Sequence, residues 1–216
     1  MLECPSCARL QEPQLICPDC KAPLASNLDC FAALGLPRQL QIDLIMLESA
    51  YHDRGRTLHP DRFASASPKV RDASLRATAL VTRSYRTLRD PATRAVYWLD
   101  LHGYKLAENN QQVPSGLAGL VFEAQEELAE LRDANGTSGP VAIAARATVQ
   151  ARQREVAGLL EQSGAALEGL FIEFDTAGAA PPSALVTRLK ATLAEGAYLS
   201  TLMRDLRKAL DSRAAA

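Results

Sequence analysis

Four cysteines crowd the first twenty residues as Cys4-Pro-Ser-Cys7 and Cys17-Pro-Asp-Cys20. Two residues between cysteines let both thiolates turn toward one ion, and two such pairs complete a tetrahedron with Zn–S bonds of about 2.3 Å. The opening residues Met1-Leu2-Glu3 lack the basic stretch and apolar core of a signal peptide and the arginines of a transit sequence. A reducing cytoplasm is therefore expected, with a mitochondrial location only if a transit peptide has been removed upstream, and metal ligation is expected over disulfides. A segment this short builds no core without a staple. Protein fills all four positions, so the expected role is structural, with zinc as the ion and iron also suited to four thiolates. A redox pair or unliganded thiols is the alternative. Cys30 stands apart and reads as a small buried apolar residue.

A second constellation is His59-Pro60-Asp61. Pro60 ends one helix and fixes the backbone at a turn between two antiparallel helices, so that His59 and Asp61 project from a rigid tip. The Asp61 carboxylate is suited to receive a partner's arginine through paired charge-assisted hydrogen bonds, with His59 orienting the loop. Arg54, Arg56 and Arg62 form a cationic stripe that would steer docking toward an acidic surface. Arg71, Arg76 and Arg83 read as solvated charges. The plainer alternative is a helix–loop–helix whose Pro and Asp only stop one helix and cap another. Enzyme chemistry has little behind it. The three histidines, His52, His59 and His102, are scattered, and no Ser/His/Asp grouping, phosphate-cradling glycine loop or HExxH helix occurs.

These residues must be held by helices. Aromatics are 5% of the 216 residues and hydrophobics 47%, while Ala, Leu, Arg and Glu are abundant, a helical bias. With 24 basic against 25 acidic residues, no global field attracts nucleic acid. No run of eighteen apolar residues offers a membrane span. The pattern predicts an all-α chain: a tetracysteine module over 1–24, a helical-hairpin domain over 25–105, a linker over 106–114 and a three-helix domain over 115–213. Within the first helical domain, helices are expected from about Cys30 to Leu34, Ile42 to Leu58, Pro68 to Arg89 and from Pro91 to before Gly103. Asp90-Pro91 and Ser67-Pro68 pair an N-cap with proline at the first helical position. Leu44, Leu47, Tyr51 and Leu58 mark the apolar face of the second. Further on, a helix opens at Ser115, a long one runs from about Val141 to Phe174, and a last one follows Ser183. They are separated by a loop over 135–140 and a turn over 178–182, with a frayed end over 212–216. Three helices with short connections pack most simply as an antiparallel bundle.

The stretch from Leu28 to Leu101 resembles a J-domain, the module of DnaJ-type co-chaperones. The resemblance is carried by Asp29-Cys30-Phe31, Leu34-Gly35-Leu36, Leu58 through Phe63, and Tyr85 through Pro91. It implies that the loop partner is the ATPase domain of a 70-kDa heat-shock chaperone. Arg94 through Tyr104, followed by the acidic Glu126-Glu127-Leu128-Ala129-Glu130-Leu131, further resembles the HscB-type co-chaperones of iron–sulfur cluster biogenesis, called Jac-type in mitochondria. Some members of that family carry a tetracysteine module. The resemblance implies two partners, an HscA-like chaperone or its mitochondrial equivalent and an IscU-like cluster scaffold, while charge balance and the lack of a long apolar run give no role to nucleic acid or membrane. It places the scaffold-binding patch at Phe122, Glu123, Glu126 and Tyr198. Where the family has bulky residues one turn before Phe122, this chain has Ala118 and Gly119, with Leu120 and Val121 offering the bulk in a shifted register. Two alternatives stand beside this reading: a J-domain co-chaperone for a different client, and a metal- or redox-responsive regulator working through the four cysteines.

Overall fold

The computed structural model describes residues 1–106, 113–134, 139–178 and 181–211, which fall into two compact units, Met1–His102 and Gly103–Ala216. Most of the expected linker, much of the loop over 135–140, part of the turn over 178–182 and all of the expected frayed end lie outside the described residues.

The first unit begins with two short strands, β1 (Leu2–Glu3) and β2 (Leu10–Gln11), paired antiparallel with Leu2 opposite Gln11. Two-residue strands are too short to show alternation, which is why the pattern did not reveal them. Four helices follow: α1 (Cys30–Leu34), α2 (Leu44–Leu58), α3 (Pro68–Arg89) and α4 (Pro91–Leu101). The starts of α1, α2 and α4 are set by carboxylates that accept orphan backbone N–H groups. Asp29 accepts from Ala32, Asp43 from Ile45 and Met46, and Asp90 from Thr93. The Asp43 cap puts Ile42 outside α2, so the helix starts two residues later than the periodicity suggests. Ser67 makes no capping bond with its side chain, and Pro68 alone marks the start of α3. Gly35 ends α1 at φ +73°, its N–H bonding Ala32 and that of Leu36 bonding Phe31, a left-handed closure that favours glycine.

Helix α2 lies antiparallel to α3: Tyr51 stacks on Tyr85 with ring centroids 4.4 Å apart, while at the other end Leu58 meets Ser74 and Thr78. Phe31, Leu40, Leu47, Leu58, Leu88 and Leu99 are fully buried, each contributing roughly 1.5–3 kcal/mol by leaving water. Leu44 departs from the expected apolar face and is 53% exposed, beside exposed Ile45 and Met46.

In the second unit a short 3-10 turn over Ser115–Leu117 leads into α5 (Ala118–Ala134), then α6 (Pro140–Ala177) and α7 (Ser183–Asp211). Helix α6 outruns its expected limits at both ends because Pro140 suits the first helical position and no breaker intervenes before Gly178. Helices α6 and α7 run antiparallel: Arg146 donates to the Leu210 carbonyl at one end, and Arg188 pairs with Glu173 at the other. Between these ends, a Cβ on Gly196 would sit 3.2 Å from the Ser163 hydroxyl. Leu128, Leu131, Val149, Val156, Leu199 and Leu206 are among the residues of a core shared by all three helices. Among the described residues, no helix is long and apolar enough to cross a membrane.

Candidate functional site

The backbone at the end of α2 is clamped before the loop begins. The carbonyl of Leu58, one of the orphan acceptors at a helix C-terminus, accepts from Ser74 Oγ at 2.7 Å and Thr78 Oγ1 at 3.0 Å, both on α3. The chain then turns through a 3-10 helix over Pro60–Phe63. Arg62 N–H donates to the His59 carbonyl at 3.0 Å, and Ala66 N–H to that of Phe63 at 3.0 Å. His59 Nδ1 accepts from the Asp61 N–H at 3.3 Å, which requires that nitrogen to be free of a proton. The imidazole thus caps the turn, and its Nδ1 lies 3.5 Å from the Asp61 carboxylate. The Asp61 side chain is 89% exposed, an uncovered carboxylate on a backbone fixed at both sides.

The three arginines of the expected stripe are not in one row. Arg56 and Arg62 border a shallow cleft along α2 with Tyr51, His52, Gly55 and His59, and Arg56 also pairs with Asp53 one turn back. Arg54 is half-buried toward α1, where a Cβ on Gly35 would lie 3.2 Å from its guanidinium. On the other flank of the loop, Pro60, Leu75, Ala79, Arg83 and Arg86 line a second shallow cleft along α3. Sequence reasoning passed over Leu75, which is 58% exposed; a leucine outside the buried stripe of an otherwise polar helix face was the signal available.

The cysteines occupy two matching hairpins. In the first, Cys4 N–H donates to the Arg9 carbonyl and Ala8 N–H to that of Cys4; in the second, Cys17 N–H donates to Ala22 and Lys21 N–H to Cys17. The residue after each second cysteine, Ala8 or Lys21, is left-handed at φ +59° or +61°, a conformation that costs a non-glycine residue about 1–2 kcal/mol. Asp19 joins the two hairpins, accepting from Arg9 at 2.9 Å and Gln11 at 2.7 Å. All four sulfurs lie within 4.8 Å of one another, with Cys4 and Cys20 3.5 Å apart and Cys7 and Cys17 3.8 Å apart. Tetrahedral zinc thiolate bonds imply sulfur separations of about 3.8 Å, so the donor set fits a single four-coordinate ion. The thiols also perturb one another. The Ala22 N–H favours the Cys20 thiolate and, with hydrogen bonds from the other cysteines, brings it down to about 7 against the opposing effect of burial. For Cys7 the Arg9 N–H pulls downward, yet burial and hydrogen bonds to the other three push it up to about 12. Thiolate charge is thus easily placed once in the cluster and hard to place again without a cation. The four cysteines can bind a metal ion.

On α5, Phe122 is 64% exposed. Glu123 and Glu126 are exposed beside it, while Leu120 and Val121 are half-buried against the bundle core, as is Tyr198 on α7. Ala118 and Gly119 are exposed. Glu123 is tied down by Arg152 of α6, whose guanidinium reaches Glu123 at 2.7 Å, Glu127 at 2.7 and 3.0 Å, and Glu155 at 2.8 Å. Arg152 and Glu127 are nearly enclosed, with side chains 12% and 15% exposed.

No family model matches the chain. Two solved structures share its fold. Chaperone HscB from Vibrio cholerae superposes with a TM-score of 0.60 at 22% identity, over 85% of this chain and 98% of that one. The human co-chaperone protein HscB superposes with a TM-score of 0.63 at 24% identity, over 95% and 97%. The chain therefore has the HscB fold.

Proposed function

We propose that this protein is an HscB-type J-domain co-chaperone that stimulates the ATPase of a 70-kDa heat-shock chaperone and delivers an iron–sulfur cluster scaffold to it. The observation that carries the reading is the Asp61 carboxylate, 89% exposed on a turn whose backbone is fixed by His59 behind it and α3 beneath it. An arginine on the chaperone's ATPase domain would meet that carboxylate in paired charge-assisted hydrogen bonds, and docking would shift the chaperone toward its hydrolysis-competent conformation. Arg56 and Arg62, flanking the same cleft, speed encounter with an acidic surface more than they tighten the final complex. The protein is not itself the hydrolase.

The second face is α5. An aromatic ring left 64% exposed on a helix whose neighbours pack inward suits a partner pocket, and the scaffold is the partner we assign to it. Glu123 and Glu126 select a basic rim on that partner. The cysteine module holds zinc as a structural ion, since every position is filled by thiolate and none is open to a substrate.

The decisive experiment is a steady-state ATPase assay of the cognate chaperone with this protein, with and without scaffold. Asp61→Asn keeps the shape of the tip and removes its charge. The reading requires stimulation to disappear with that change; equal stimulation by Asp61→Asn would sink it. Under the competing regulator reading, changes at Cys4, Cys7, Cys17 and Cys20 would abolish function and Asp61→Asn would be tolerated.

A further inference from the structure

Two hydroxyls on one helix converge on one carbonyl at the base of the loop. Ser74 Oγ and Thr78 Oγ1, four residues apart and so on the same face of α3, both donate to Leu58 O, sixteen and twenty residues away in sequence. Ser74 is fully buried and Thr78 is half-buried. Leu58 itself is 1% exposed, so its carbonyl is shielded from bulk water. The next peptide carries His59, whose ring caps the turn and whose carbonyl accepts from Arg62. The peptide at which the loop begins is thus referred back to the middle of α3, while past the tip Arg71, at the start of α3, donates to the Ala64 carbonyl at 3.4 Å.

Two other helix ends are closed from a neighbouring helix by a single arginine: Arg94 donates to Leu88 and Arg146 to Leu210. Only uncharged donors serve at Leu58, and the choice has a physical consequence. An arginine there would place a fixed positive charge beside Asp61 and compete with an incoming cation for its carboxylate. Neutral hydroxyls hold the backbone and leave the field at the tip unchanged.

We infer that Ser74 and Thr78 are positioning residues that aim the His59–Asp61 loop at the chaperone, a role that rests on the function proposed above. They act through the Leu58 carbonyl. Thr78→Val preserves shape and deletes one donor, Ser74→Ala deletes the other, and Thr78→Ser keeps the hydroxyl while losing the methyl.

The test compares these three variants with Val81→Ala, a control that removes buried bulk from α3 and leaves both hydroxyls. Each is assayed for chaperone ATPase stimulation at a temperature where circular dichroism shows it fully folded. Amide chemical shifts of residues 61–66 are recorded for the protein without chaperone. Loss of one hydrogen bond should raise the concentration for half-maximal stimulation about fivefold in Thr78→Val and in Ser74→Ala, and move the Asp61 and Arg62 amide signals. Thr78→Ser and Val81→Ala should keep the parent concentration and the parent loop signals. The inference is overturned if Thr78→Val leaves the loop signals and the half-maximal concentration unchanged, or if Val81→Ala impairs stimulation equally. Should the unaltered protein fail to stimulate any chaperone, the functional reading falls, and the amide signals alone decide whether the clamp sets the loop.

Discussion

The Tyr97 hydroxyl of α4 accepts a hydrogen bond from the backbone N–H of Cys30 at 2.9 Å, joining the fourth helix to the first turn of α1 across sixty-seven residues. The two rings beside this contact, Phe31 and Tyr97, have centroids 6.1 Å apart, so an apolar contact and a polar one fix the same corner. Burial, opposed by the Cys30 N–H and aided by the Cys30 side chain, pushes the phenol up to about 12. A phenol that ionises later when folded than when unfolded contributes stability that is intact below its unfolded value near 10 and is lost as pH rises toward 12.

Tyr97→Phe should therefore lower stability at neutral pH by about 1 kcal/mol and flatten the alkaline decline above pH ~10. Urea unfolding at neutral and alkaline pH, followed by helical circular dichroism, measures both. An unchanged alkaline slope in the variant would assign the decline to other groups.

Zinc should bind the four thiolates as one ion per chain, and a strong chelator should remove it with collapse of the module over 1–24. The helical signal should survive, because Cys4, Cys17, Ala22 and Leu24 form their own small cluster apart from the cores that hold α1 to α7. Metal analysis before and after chelation, with amide exchange resolved by segment, reads this directly. Loss of exchange protection in α2 or α3 on chelation would contradict it.

Arg152→Met should destabilise the protein by roughly 1–3 kcal/mol, because it leaves the Glu127 carboxylate largely enclosed and without its bidentate partner. Changing both residues, Arg152→Met with Glu127→Leu, should recover most of that loss. Chemical denaturation of the single and double variants tests the pair; a double variant as weak as the single would show that packing, not the stranded charge, sets the cost.

Phe122→Ala should change folding stability by less than about 0.5 kcal/mol, as expected for an exposed side chain, yet weaken scaffold binding more than about tenfold. Calorimetric titration with the cluster scaffold checks this. Undiminished binding would direct attention to a different client.

How far the sequence discloses this molecule depends on the range of the interaction. Asp29, Asp43 and Asp90 announce helix starts because a cap bonds two or three residues ahead, within the reach of a local pattern. Gly35, Pro60, Pro68 and Pro91 likewise act through their own backbone. The clamp at Leu58 was invisible for the opposite reason: its acceptor is a main-chain carbonyl, and a serine and a threonine on a helix ordinarily signal nothing. The Arg152 cluster was equally hidden, since one arginine among the charges of a long helix does not name its carboxylates. Leu44 misled because apolar periodicity counts a residue at a helix end that the described elements leave 53% exposed. The cysteine spacing, by contrast, carried its geometry with it.

Arg152 has one more effect, on register. A helix can slide along its neighbour by one turn, about 5.4 Å, and still present leucines to leucines. Such a slide of α5 past α6 would leave one carboxylate in reach of a guanidinium that now holds both Glu123 and Glu127 at 2.7 Å, with Gly119 or Leu131 in the place of the other. One cation thereby converts a slippery apolar seam into a keyed one, and fixes the height at which Phe122 emerges.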